Sequence, residues 1–132
     1  MELPSNVDAR RYSYPDLRRL YAESKFVVVP IYQTDFQAGI TTILEAMAMG
    51  KAVIATRTRG QTDVIRDGVD GIYVEPGDVG GMRAAIIDLL DHPEKAAGIG
   101  AAARKRIEDD ISLDHLADRI REVISRAEVI AT

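Results

Sequence analysis

Residues 37–50, QAGITTILEAMAMG, combine types and spacings that could do chemistry. Gln37, Ala38 and Gly39 lead into a stretch that reads as a helix over about 39–49. Ile40, Ile43, Leu44 and Met47 fall on its inner side, and Gly50 stands where a helix would end. Small residues at 38 and 39 let a ligand approach the backbone. Gly39, Ile40, Thr41 and Thr42 then present the unpaired N–H groups of a first helical turn, where the helix dipole adds partial positive charge. Such a start suits phosphate, and the Thr41 and Thr42 hydroxyls are further donors. Glu45 lies one turn beyond Thr41, roughly 6 Å along the axis. A carboxylate there can accept two hydrogen bonds from vicinal hydroxyls, as a ribose attached to the bound phosphate would offer. A plainer reading stands beside this one. Any helix that follows a strand in an α/β protein has free N–H groups, and Glu45 can be a solvated surface charge.

The elements that must position this segment alternate between short apolar runs and helical patterns. Residues 6–9 form a weak strand candidate. Ser13 caps a helix with Pro15 in its first turn and Leu17, Leu20, Tyr21 and Ser24 on one face. The run 26–29, closed by Pro30, reads as a strand buried on both faces, as in a parallel sheet. After the loop 31–38 and the helix, 52–55 is a second strand. Residues 57–60 are a loop, 61–65 a short helix capped by Gln61 and Thr62, and 72–74 a last strand. Asp78 caps a helix with Val79, Met82, Ile86, Leu89 and Leu90 inside. Pro93 interrupts, and an alanine-rich helix follows from Glu94 to about Glu108. Ser112 caps a final helix with Leu113, Leu116, Ile120, Val123 and Ile124 inside. The two C-terminal helices occupy about 94–127. The order implies a single domain over 1–132, Rossmann-like and three-layered (α/β/α), with a short parallel sheet of three or four strands. Ligands in such sheets bind beyond the C-terminal strand ends, which puts the loops 31–38 and 56–61 at the site.

Composition narrows the function classes. At 132 residues and 46% hydrophobic, the chain can form a real core, and 29% charged residues suit a soluble surface. The formal net charge of −4, with basic residues scattered, argues against nucleic acid. No cysteine is present, so disulfides and thiolate metal sites are excluded. His92 and His115 lie far apart and read as surface or cap residues, so no metal site is expected. No apolar run approaches the roughly 18 residues of a membrane span, and residues 1–4 lack the basic start and apolar core of a signal peptide. These features point to the cytoplasm, with peripheral association at the inner membrane surface left open. Asp35 could touch a donor sugar or be solvated. Arg57 and Arg59 could reach a phosphate or an acceptor, or face solvent. Lys51 is expected to neutralise the C-terminus of the helix before it.

The stretch 37–56, QAGITTILEAMAMGKAVIAT, resembles the donor-site region of the family 4 retaining glycosyltransferases, which have the GT-B architecture. The likeness extends to 17–30 (LRRLYAESKFVVVP), to 60–65 (GQTDVI) and to 67–78 (DGVDGIYVEPGD), and covers about residues 16–90. It implies the second half of a GT-B C-terminal domain. In that family two acidic residues eight positions apart flank the site. The second matches Glu45 and implies a contact to the donor ribose. The first matches Gln37, which can exchange hydrogen bonds with the transferred sugar but carries no charge. The family's glycine-aromatic-glycine stretch is Ala38, Gly39 and Ile40 here.

The resemblance implies retaining transfer of a sugar from a nucleotide-sugar to a glycan, lipid or other acceptor, without a cofactor or catalytic metal. In it, the helix start at Gly39, Ile40, Thr41 and Thr42 stabilises the departing diphosphate. The acceptor-binding N-terminal domain and the first strands of the C-terminal domain have no counterpart in these residues, so the isolated chain is expected to be inactive. The strand at 26–29 would lose the neighbour it has in the family. Such an edge is an aggregation hazard, and is expected to be covered by the 6–11 segment or by a second copy of the chain. Two readings from other classes stand beside this one: a non-catalytic nucleotide-binding or regulatory α/β module, and a structural assembly domain.

Overall fold

A computed structural model describes residues 4–130, with side chains through residue 126. Helix α1 spans Tyr14–Glu23, and strand β1 is Val27–Val29. Helix α2 is Ile40–Ala48, β2 is Val53–Thr56 and β3 is Ile72–Val74. Helices α3 (Val79–Asp91), α4 (Pro93–Asp110) and α5 (Leu113–Ile130) complete the order. The three strands form one parallel sheet in the order β1-β2-β3, with Val27 opposite Val53 and Ile54 opposite Ile72.

Alternation along the strands decides which face each residue serves. Val29, Val53, Ala55 and Tyr73 pack with Tyr21 of α1 and Ile43, Ala46 and Met47 of α2. Ile54 and Val74 point to the other face, where they meet Leu89 of α3 and Ala96 and Ile99 of α4. All four residues of β2 are buried, as befits the central strand. Helix α4 joins the two layers. Its Ala103 belongs to the α1/α2 side, while Ala96 and Ile99 belong to the α3 side. It crosses against the turn before β2, so close that a Cβ on Gly100 would lie 2.1 Å from the Gly50 carbonyl oxygen. Only glycine permits that approach. The crossing closes the N-terminal ends of the strands and leaves their C-terminal ends open.

The structure corrects several expectations. Residues 6–9 form no strand, and the 6–11 segment does not cover β1. It makes local contacts instead: Arg10 pairs with Asp8 at 3.0 Å and its guanidinium lies over the Tyr12 ring. Among the described residues β1 pairs only with β2. Residues 61–65 are not a helix. Five residues give little return on helix nucleation, and the end N–H groups of the segment find partners outside it, Gln61 on the Thr58 carbonyl at 3.1 Å and Ile65 on the Tyr73 hydroxyl at 3.4 Å. Asp70 accepts from the Arg66 N–H at 2.6 Å, and Asp67 from the Tyr73 N–H at 2.8 Å. Val64 and Ile65 lie in the core. In α3, Val79 and Leu90 are exposed rather than inside. The apolar stripe of α5 is also exposed, from 51% at Ile120 to 84% at Leu113. Among the described residues no helix is long and apolar enough to cross a membrane, and no cluster of three or more His, Asp or Glu residues could hold a metal ion.

Candidate functional site

Helix α2 begins at Gly39, whose φ of 71° lies in the left-handed region. A Cβ there would also lie 2.9 Å from Val29 Cγ1. Glycine is therefore required twice, by backbone conformation and by the packing of the helix start on β1. No side chain caps this helix, so its first N–H groups remain available, as they must be for an anion to use them. Thr41 is exposed at that end, and Ile40 and Thr42 are half-buried.

The preceding loop is held from below. The Gly60 N–H donates to the Thr34 carbonyl at 3.1 Å, and a Cβ on Gly60 would come within 2.2 Å of the Phe36 carbonyl oxygen. The Thr34 hydroxyl donates to the same Phe36 carbonyl at 2.9 Å. Loop 34–38 thus rests on the 58–61 turn, where Thr58 and Gln61 form an antiparallel bridge. Gln61 is fully buried rather than a helix cap, and its side-chain amide has no hydrogen-bond partner among the described residues. Gln37 is exposed at the loop's end, two residues before the helix cap.

Glu45 is half-buried one turn into α2, and its carboxylate is already oriented. The Tyr21 hydroxyl of α1 donates to Glu45 Oε2 at 3.0 Å. Burial, and then the hydrogen bond to the Glu45 carboxylate, push the Tyr21 phenol up to about 12. It therefore remains a neutral donor throughout the physiological range. Glu45 and Tyr21 line a hollow of about 250 Å³ between α1 and α2, with Tyr14, Leu17, Arg18 and Met49. The sequence placed Tyr21 on one face of α1 with Leu17 and Leu20, but not against Glu45. The only signal was its place on that apolar face, 24 residues from its partner.

A larger, mainly apolar cleft of about 850 Å³ opens at the strand ends, between loop 30–33, Thr56 and the start of α3. It lies on the α3 face, and neither Glu45 nor the residues 37–42 line it. Glu75, Asp78 and Arg83 line this cleft, but the helix start beside it is already capped, since the Gly81 N–H donates to the Asp78 carboxylate at 2.8 Å, whereas the start of α2 is uncapped.

The basic candidates divide. Arg57 is engaged at the sheet's exit: it bonds Asp67 at 3.0 Å, approaches Glu75 at 3.6 Å and lies over the Tyr73 ring at 4.8 Å. Arg59 and Asp35 face each other at 3.9 Å, both well exposed, a surface pair of small energetic weight. Lys51 does not serve the C-terminus of α2. Its Nζ donates to the Ala22 carbonyl of α1 at 2.9 Å, while Arg104 of α4 takes the Ala48 carbonyl of α2 at 3.0 Å. His92 is exposed at the α3/α4 junction with Nδ1 2.9 Å from the Asp88 carbonyl, and His115 is exposed on α5.

The family described as Glycosyl transferases group 1 matches residues 2–92. The chain belongs to that family. It is 34% identical over 115 residues to the D-inositol 3-phosphate glycosyltransferase of Mycobacterium avium, covering 87% of this chain and 26% of that protein. Among solved structures it resembles the sucrose-phosphate synthase of Thermosynechococcus elongatus, with TM-score 0.76, 25% identity and coverage of 94% of this chain and 30% of that one. It also shares its fold with the HepE protein of Anabaena, solved in complex with UDP, at TM-score 0.71 and 24% identity over 82% of this chain and 29% of that one. The chain spans between 14% and 26% of the lengths of its first curated relatives. The three-layer arrangement with a short parallel sheet, expected from the sequence as the second half of a GT-B C-terminal domain, is the one this group 1 glycosyltransferase chain adopts.

Proposed function

We propose that this chain is the donor-binding portion of a glycosyltransferase, holding a nucleoside-diphosphate sugar at the start of α2. The observation that carries this reading is the Glu45 carboxylate, oriented by Tyr21 beside a hollow and one turn from an uncapped helix start. The N–H groups of Ile40, Thr41 and Thr42 face the diphosphate and stabilise its charge as it departs. Glu45 accepts from the ribose hydroxyls, and Gln37 contacts the transferred sugar. The helix dipole and the N–H groups supply this stabilisation without a metal ion. Transfer to an acceptor, a glycan or lipid in this reading, needs further protein surface. The 132-residue chain alone is therefore expected to bind donor but not to transfer sugar.

Titration calorimetry with UDP, GDP and ADP tests the reading. One of them should bind, and Glu45→Ala should weaken it about 10- to 100-fold, the effect of losing a charge-assisted hydrogen bond of roughly 1.5–3 kcal/mol. Absence of binding by all three at millimolar concentration, or equal binding by Glu45→Ala, refutes it.

A further inference from the structure

We infer that Tyr21 is a positioning residue for donor recognition, acting through Glu45 to make the site selective for a ribose with both hydroxyls. The inference rests on the reading of Glu45 as the ribose acceptor. Glu45 projects from a short helix beside an open hollow, and a glutamate there has several rotamers to sample. Tyr21 removes that freedom. Its ring is buried in the α1/α2 core with Leu17, Ile43 and Met47, so the phenol oxygen is fixed, and its O–H reaches Glu45 Oε2 at 3.0 Å.

Two consequences follow. The hydrogen bond occupies a lone pair on one carboxylate oxygen and leaves the other oxygen to accept from the ligand. It also locks the carboxylate in place before the ligand arrives, so less ordering remains to be done on binding. A vicinal diol, which presents two donors in fixed geometry, gains more from a fixed acceptor than a single hydroxyl does. Helix α1 thus takes part in donor selection without touching the donor through Tyr21. Burial and the adjacent carboxylate keep the phenol protonated, so the donor role persists at any pH at which the protein works.

The test compares whichever of UDP, GDP or ADP binds the native chain most tightly with its 2′,3′-dideoxy analogue. Four proteins are used: native, Tyr21→Phe, Glu45→Gln and the double variant. Tyr21→Phe keeps the packed ring, and circular dichroism verifies its fold. The native chain should prefer the ribonucleotide at least tenfold. Tyr21→Phe should reduce that preference to about threefold or less while leaving affinity for the dideoxy analogue unchanged, an effect that general structural damage does not produce. Once Glu45 is glutamine, Tyr21→Phe should cost little more, since coupled residues are not additive. A native chain that ignores the ribose hydroxyls sinks the Glu45 reading, and this inference with it. A native preference that Tyr21→Phe preserves, or a loss shared equally by both nucleotides, overturns the role of Tyr21 and leaves Glu45 standing.

Discussion

Glu45 and Asp70 are two acids of similar chemistry in opposite situations. Asp70 is fully buried; its carboxylate accepts from the Arg66 N–H and the Arg66 guanidinium, and Arg106 approaches at 3.4 Å. Arg106 also donates to the Asp63 carbonyl at 2.8 Å, tying α4 to the 63–71 segment. Glu45 is half-buried, takes one phenol hydrogen bond and faces a hollow. One carboxylate is saturated by its own chain and the other retains capacity to accept. Burial and unfilled hydrogen-bonding capacity thus run in opposite directions at these two acids.

Substitution at the two acids gives the largest contrast. Asp70→Ala leaves two guanidiniums and a backbone N–H without their acceptor. It should destabilise the fold by about 3 kcal/mol, near the low end for breaking a buried pair, because the Arg66 side chain is itself half-exposed. Glu45→Ala should change stability by less than about 1 kcal/mol, both values read from urea denaturation. Equal losses would show that Glu45 is a structural acid too.

Gly60→Ala separates the two regions by a different route. An added methyl would meet the Phe36 carbonyl, forcing loop 34–38 off its support. The expected loss is about 1–3 kcal/mol, as for other overpacked sites, with weakened nucleotide binding although the residue is remote from Glu45. Unchanged binding in a destabilised variant would mean that the loop does not shape the donor site.

The smallest effect is on pH dependence. Because the folded phenol of Tyr21 titrates near about 12 against an ordinary value of 10.0, folding favours its protonated form. Its contribution to stability is fully present below pH 10 and is lost as pH rises through about 12. The stability difference between native and Tyr21→Phe, measured across that range, should shrink with rising pH. The direct comparison with Tyr21→Phe matters because burial raises Tyr73 as well. A difference that stays constant would mean that neither burial nor the Glu45 contact raises the Tyr21 phenol in solution.

The sheet was readable because its strands are short apolar runs between turn residues, and the helix start at Gly39 because a glycine between a strand-following loop and an apolar stripe has few other uses. The place of Glu45 one turn into α2 was readable from spacing, while its partner on α1 was not, since the hydrogen bond joins helices far apart in sequence. The two C-terminal helices misled in opposite ways. Helix α4 has a weak pattern yet is well packed, because Ala96, Gly100 and Ala103 let it approach closely and small residues contribute little to an apolar stripe. Helix α5 has a clear stripe, and Leu113, Leu116 and Val123 are nevertheless exposed. Amphipathicity shows that a helix has an apolar side, and says nothing about what meets it. The 61–65 segment failed because it is too short to repay helix nucleation and its end N–H groups have partners elsewhere, Gln61 on the Thr58 carbonyl and Ile65 on the Tyr73 hydroxyl, neither legible from local sequence.

The order of the sheet is also the order of the chain, and that governs how it can be assembled. Each strand pairs with the one synthesised just before it, so no strand has to wait for a later one or be threaded between two already in place. Two loop closures, over residues 30–52 and 57–71, build the sheet, and closure cost grows only slowly with length. Helix α4 comes last among the packed elements, and its Arg104 reaches back 56 residues to the Ala48 carbonyl, while Gly100 packs on Gly50. Translation can therefore deliver a paired sheet before the helix that seals its lower end has emerged, and the interval between those events is when the nascent chain is most exposed to misassociation.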